Sequence, residues 1–130
     1  MSTEENFAVV SRYAAAWVAG DLATLVACYH DDLSLHYGGA SSLAGSHRGK
    51  AAALRALGEV SRRTQRKLIN IVDVMAGPER AVIIAREAFT RTGETVEFER
   101  TLVYAIADGL LHECWLLERD QALVDRFLAD

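Results

Sequence analysis

One proline, two cysteines and no long apolar run in 130 residues remove several classes of protein at once. No stretch approaches the roughly 18 apolar residues that cross a bilayer, so a membrane partner is not expected. Cys28 and Cys114 lie far apart and form no CxxC pair. The four histidines, His30, His36, His47 and His112, are scattered without ligand spacing, and no metal site is expected. No glycine-rich phosphate loop follows a strand and no G-x-S-x-G elbow is present, so no cofactor is expected either. Basic residues are outnumbered, 14 Lys and Arg against 18 Asp and Glu, and they form no long run. A nucleic-acid partner is therefore not expected, because phosphate binding needs a basic face. The start, MSTEENF, is too acidic and polar for a secretory signal, which points to the cytoplasm and to two free thiols.

What remains is an ordinary composition for one globular domain over residues 1–130, with 51% hydrophobic and 25% charged residues. Ser2 followed by Glu5 predicts a capping box, and Phe7, Val10, Tyr13, Ala14, Trp17 and Val18 recur at helical spacing. A first helix is expected from about Thr3 to Ala19, ended by Gly20. Asp21 then caps a second helix carrying Leu22, Leu25, Val26 and Tyr29, stopping near His30. LSLHY (33–37) alternates as a short strand. From Gly49 a third helix carries Leu54, Leu57 and Val60 and ends in SRRTQRK, whose cations suit a helix C-terminus. Four strands follow: KLINIVDVM, RAVIIAREAFTR, ETVEFERTLVYAIA and LLHECWLLE. Asp108-Gly109 is a two-residue hairpin signal between the last two. Asp120 caps a short final helix with Leu123, Val124, Phe127 and Leu128. Helices followed by meandering strands mean an α+β fold, with a long antiparallel sheet able to curl around helices and enclose a cavity.

Between strand and third helix lies HYGGASSLAGSHRGK (36–50), which holds four of the nine glycines and two of the four histidines. It is expected as a loop, either near a pocket mouth or merely on the surface.

YAAAWVAGDLATLVACYHDDLSLH, LAGSHRGKAA and DGLLHECW together resemble the nuclear transport factor 2-like superfamily, within it the SnoaL-like, ketosteroid-isomerase-like group. The resemblance spans nearly the whole chain. It implies a cone-shaped fold, a curved, mostly antiparallel sheet wrapped around N-terminal helices, an internal pocket and a homodimer built through the sheet. It implies no single activity, since the fold hosts unrelated functions. The ketosteroid isomerases' Asp base has no counterpart within LSLHY. SnoaL-type cyclases carry a catalytic Asp near the last-strand Trp, where here Trp115 is followed by Leu116 and Leu117. The Asp-Arg-Asp set of limonene epoxide hydrolases has no evident equivalent.

The candidate catalytic residues are His36 and Glu113. A polar residue of the first strand often points into the pocket in the related group, and a histidine there can move a proton near neutral pH; otherwise it bonds a core carbonyl or tyrosine. Glu113 alternates with Leu111, Trp115 and Leu117, which suggests an inward, pKa-raised carboxylate, or else a rim ion pair. Tyr13, Trp17, Tyr29, Arg100, Tyr104 and Trp115 are the candidate pocket lining. Arg100 needs a partner among apolar neighbours: Glu113, a ligand carboxylate, or water. Which of Arg86 and Glu87 faces inward is open at this stage. The expected ligand is a small apolar or polar-apolar organic molecule. It is either turned over by cofactor-free proton transfer, as an isomerase or cyclase would, or simply held by a non-catalytic homodimeric module.

Overall fold

The computed structural model describes residues 2–130. The helices begin where their caps dictate. In α1 (Thr3–Ala19) the Ser2 hydroxyl accepts the Glu5 N–H at 3.1 Å, and the Glu5 carboxylate accepts the Ser2 N–H at 3.0 Å. Gly20 closes the helix at φ 68°, a conformation that only glycine adopts without cost. Asp21 caps α2 (Leu22–Ala27), which is shorter than its apolar stripe suggests. Tyr29 fits that stripe but belongs to the next strand, β1 (Tyr29–Tyr37), where it pairs with Leu111. Sheet pairing overrides the local helical spacing.

The polar segment after β1 is more than a loop. Gly45–Arg48 forms a short strand, β2, that pairs antiparallel with Ser34–Tyr37 and covers that edge of the sheet. Gly39, at φ 95°, packs against the last helix so closely that a Cβ there would stand 2.1 Å from the Asp125 carboxylate. Then come α3 (Lys50–Thr64), β3 (Lys67–Ala76), β4 (Arg80–Arg91), β5 (Glu94–Ala107), β6 (Leu110–Glu118) and α4 (Gln121–Leu128). Both tight hairpins, Thr92-Gly93 and Asp108-Gly109, have positive φ at both central residues, which matches the strands' own twist.

The six strands form one sheet in the order β2-β1-β6-β5-β4-β3, antiparallel throughout except for the parallel β1–β6 pair. The sheet is curved and unclosed, as the α+β reading expected. Its inner face packs against α1 and α3 around a core that includes Val10, Leu33, Leu35, Val60, Ile83 and Leu111. α4 adds Val124, Phe127 and Leu128, with Phe127 near Phe89. Cys28 and Cys114 are buried and free.

Candidate functional site

The inner face of the sheet contains a cavity of about 230 Å³. Three tyrosines meet there from three elements: Tyr13 from α1, Tyr29 from the start of β1 and Tyr104 from β5. The Tyr13 and Tyr29 hydroxyls are hydrogen-bonded to each other. Tyr104 stands edge-on to Tyr13, with ring centroids 5.7 Å apart. Trp17, one helical turn beyond Tyr13, lines the same space, and apolar residues of α2, α3 and the strands complete most of the wall. Leu22 on α2 is 70% exposed and marks the open side. Gly58 on α3 also lines the cavity, and a Cβ at that position would meet nothing within 4 Å.

Burial fixes the chemistry of these groups. It pushes the Tyr13 hydroxyl up to about 12, partly offset by the bond to Tyr29. It holds Tyr29 and Tyr104 well above the ordinary tyrosine value. It also pushes the Cys114 thiol up to about 12. At neutral pH these tyrosines and the thiol are therefore neutral, and among the described residues no carboxylate or imidazole lines the cavity.

Arg100 does not line the cavity. It is fully buried two residues before Leu102 on β5, in a packed ionic cluster. Its guanidinium donates to Glu118 at 2.7 and 2.9 Å, to Glu87 at 3.1 Å and to the Tyr37 hydroxyl. Phe89 and Phe98 flank it. Glu87 is thus the inward residue of its pair and Arg86 the outward one. Burial raises the Glu118 pKa, with Arg100 opposing. The set is acid–arginine–acid, built from glutamates.

His36, Glu113 and Trp115 stand on the opposite, outer face. The expectation that Glu113, Trp115 and Leu117 point inward is overturned by one residue. Ile106 pairs with Leu111 but Ala105 pairs with Glu113, so His112 is an extra residue and β6 is bulged there. Beyond the bulge Cys114 and Leu116 point inward, and Glu113 and Trp115 point out. Arg100 accordingly faces Glu118 across the hairpin, not Glu113. On the outer face His36 Nε2 donates to Glu113 Oε2 at 2.6 Å, and the ring stacks on Trp115 at 5.4 Å. Nδ1 lies 2.8 Å from the Ser46 hydroxyl on β2, and Arg80 reaches over Trp115.

Among the cavity residues that the sequence reading did not single out are Cys114 and Arg66. Cys114 was hidden by the bulge. Arg66 lies in the SRRTQRK run, but only Arg62 and Arg63 of that run belong to the last turn of α3. Gln65 turns the chain at φ 47°, and Arg66 faces the cavity from the link to β3. Its position past the helix end was the available signal.

Residues 10–114 match the model of the SnoaL-like domain. The protein Bal32a from a soil-derived mobile gene cassette is 26% identical, covers 97% of this chain and 98% of its own, and superposes with a TM-score of 0.86. A nuclear transport factor 2-like protein of Burkholderia xenovorans is 25% identical with 98% of both chains covered and a TM-score of 0.78. A putative polyketide cyclase of Xanthomonas campestris, 17% identical over 96% of this chain and 98% of its own, shares the fold with a TM-score of 0.73. An uncharacterized protein of Mycobacterium tuberculosis is 25% identical over 99% of this chain and its own full length.

Proposed function

The chain belongs to the SnoaL-like domain family, and on that premise we propose that its cavity binds a small, mainly apolar organic molecule whose oxygen accepts a hydrogen bond from the Tyr13–Tyr29 pair. The observation that carries this reading is a neutral pair of hydroxyls at the wall of a mainly apolar hollow. Pockets of this kind take their affinity from apolar burial and their orientation from a few placed donors. The same donors would stabilise the oxyanion of an enolised carbonyl compound, which is the acid half of an isomerase or cyclase. Binding is favoured over turnover because, among the described residues, no carboxylate or imidazole lines the cavity to act as a base. A cytoplasmic setting fits the two free thiols.

The test uses Trp17 fluorescence and calorimetry with a panel of small apolar ketones. Tyr13→Phe is expected to weaken binding about three- to tenfold, the worth of one hydrogen bond. Gly58→Leu is expected to abolish binding by filling the cavity while the fold is retained. Unchanged affinity in both variants would contradict the assignment.

A second reading concerns the outer face, where the 2.6 Å His36–Glu113 contact would serve as the proton-transferring pair. A substrate would then have to lie over Trp115. Under that reading His36→Ala lowers turnover by about 10²–10⁴-fold and leaves cavity binding unchanged. The same face supports the homodimer. Trp115, Val103, Val82 and Met75 stand in register across β6 to β3 and form an outward apolar row, with Met75 41% exposed. A second copy of the chain is the occupant we assign to it. Sedimentation of Val103→Glu should give monomer where the native chain gives dimer.

A further inference from the structure

Among the described residues Arg66 is the one cation that lines the cavity, and its side chain has no protein hydrogen-bond acceptor. Its side chain is only 21% exposed, yet among the described residues none of its N–H groups makes a hydrogen bond. The nearest carboxylate oxygen, Glu87 Oε2, stands 3.6 Å from Nε, beyond hydrogen-bond range. That oxygen is itself fully buried and without a hydrogen-bond partner. Other buried or partly buried arginines here are satisfied. Arg100 is held by Glu87 Oε1, Glu118 and Tyr37. Arg63 donates to Glu59 and to the Leu128 carbonyl.

A partly buried guanidinium with no protein acceptor leaves its donors to water or to a ligand. The Glu87 carboxylate behind it offsets part of the charge but does not use the planar fork. That fork suits a carboxylate, which it can bind through two parallel bonds. The charge of Arg66 also reaches the tyrosines, lowering the pKa of both Tyr13 and Tyr29 against the effect of burial. A negative oxygen between them would meet a cation on one side and hydroxyl donors on the other.

We propose that Arg66 is the anion-recognising residue of the cavity, and that the ligand class is a small apolar carboxylic acid bound as its carboxylate. The assignment rests on the cavity-binding reading above. The apolar body lies among Leu25, Leu54 and Leu57, and the carboxylate faces Arg66. Size is bounded by volume. An apolar cavity of about 150 Å³ holds benzene, so about 230 Å³ holds one ring with a short acidic tail.

The experiment titrates benzoate, phenylacetate and 3-phenylpropanoate, each beside its primary amide, into the full-length protein at pH 7. Calorimetry and Trp17 fluorescence are the readouts, with native chain, Arg66→Gln, Arg66→Lys and Tyr13→Phe in parallel. At least one carboxylate should bind the native chain tenfold or more tightly than its amide. Arg66→Gln should erase that preference while amide binding persists. Arg66→Lys should restore part of it, because the charge remains but the fork is lost. Tyr13→Phe should weaken acid and amide alike. Amide binding with no carboxylate preference, or a preference that survives Arg66→Gln, overturns the inference and leaves the cavity reading standing. Failure of every compound to bind overturns the cavity reading and the inference with it. Circular dichroism and the melting temperature identify any variant that has not folded.

Discussion

Each side of the sheet has a tryptophan and a polar pair, on the inside contributed partly by α1, and the two sides differ in what surrounds them. Inside, Trp17 stands beside the bonded hydroxyls of Tyr13 and Tyr29, and Tyr13 is only 5% exposed. Outside, Trp115 stacks under His36, whose bond to Glu113 is as short as 2.6 Å but whose side chain keeps 24% of its surface in water. Both pairs are hydrogen-bonded. Burial separates them, because a group that water can still reach loses little when its partner is removed, and a buried one loses much. The cavity side therefore holds the pair whose loss costs more.

The sharpest way to break this contrast is to remove the most deeply buried ion. Arg100→Met leaves Glu118 without its cation and Glu87 with Arg66 alone at 3.6 Å, and urea denaturation should show a loss of about 3–5 kcal/mol. A smaller loss, within surface values, would mean that the interior tolerates unpaired charge.

Alkaline titration comes next. Tyr13 has its pKa raised from 10.0 to about 12, so above pH 10 the unfolded chain releases a proton that the folded chain keeps. Stability is full below pH 10 and falls as the pH rises to about 12, by about 3 kcal/mol for this residue at 1.36 kcal/mol per unit. Cys114, raised from 9.0 to about 12, starts the decline near pH 9. Denaturation midpoints across pH 8–11 should trace this limb, and Tyr13→Phe should flatten it.

Tyr29→Phe strands the Tyr13 hydroxyl and should cost about 1–3 kcal/mol in the same assay. His36→Ala is the mildest change. With both partners partly in water, it should cost less than about 1 kcal/mol. If His36→Ala proved as damaging as Tyr29→Phe, the distinction between the faces would fail.

Much of this arrangement can be read from the chain itself. The Ser2–Glu5 box, the Asp120 cap and the Asp108-Gly109 turn are local, and each element they delimit stands where the sequence placed it. The pocket phase could not be read in the same way. An extra residue at His112 costs nothing in local pattern, yet it turns Glu113 and Trp115 from core to surface and brings Cys114 inward. β2 is four polar residues with no alternation to announce it, and only pairing with β1 makes it a strand. Tyr29 satisfied a helical stripe until sheet contacts claimed it. The partner of Arg100 followed the same rule: hairpin counting pairs it with Leu117, and the one-residue bulge shifts the pairing to Glu118.

The presence of two tryptophans, Trp17 in the cavity wall and Trp115 on the outer face of the sheet, supplies the most direct measurement. In a proton–nitrogen NMR titration each indole N–H gives its own signal, and His36 can be followed in the same sample. Addition of 3-phenylpropanoate or a small apolar ketone should move the Trp17 signal and leave Trp115 and His36 in place. Movement of Trp115 and His36 with Trp17 unchanged would put the ligand on the outer face and contradict the assignment of the cavity.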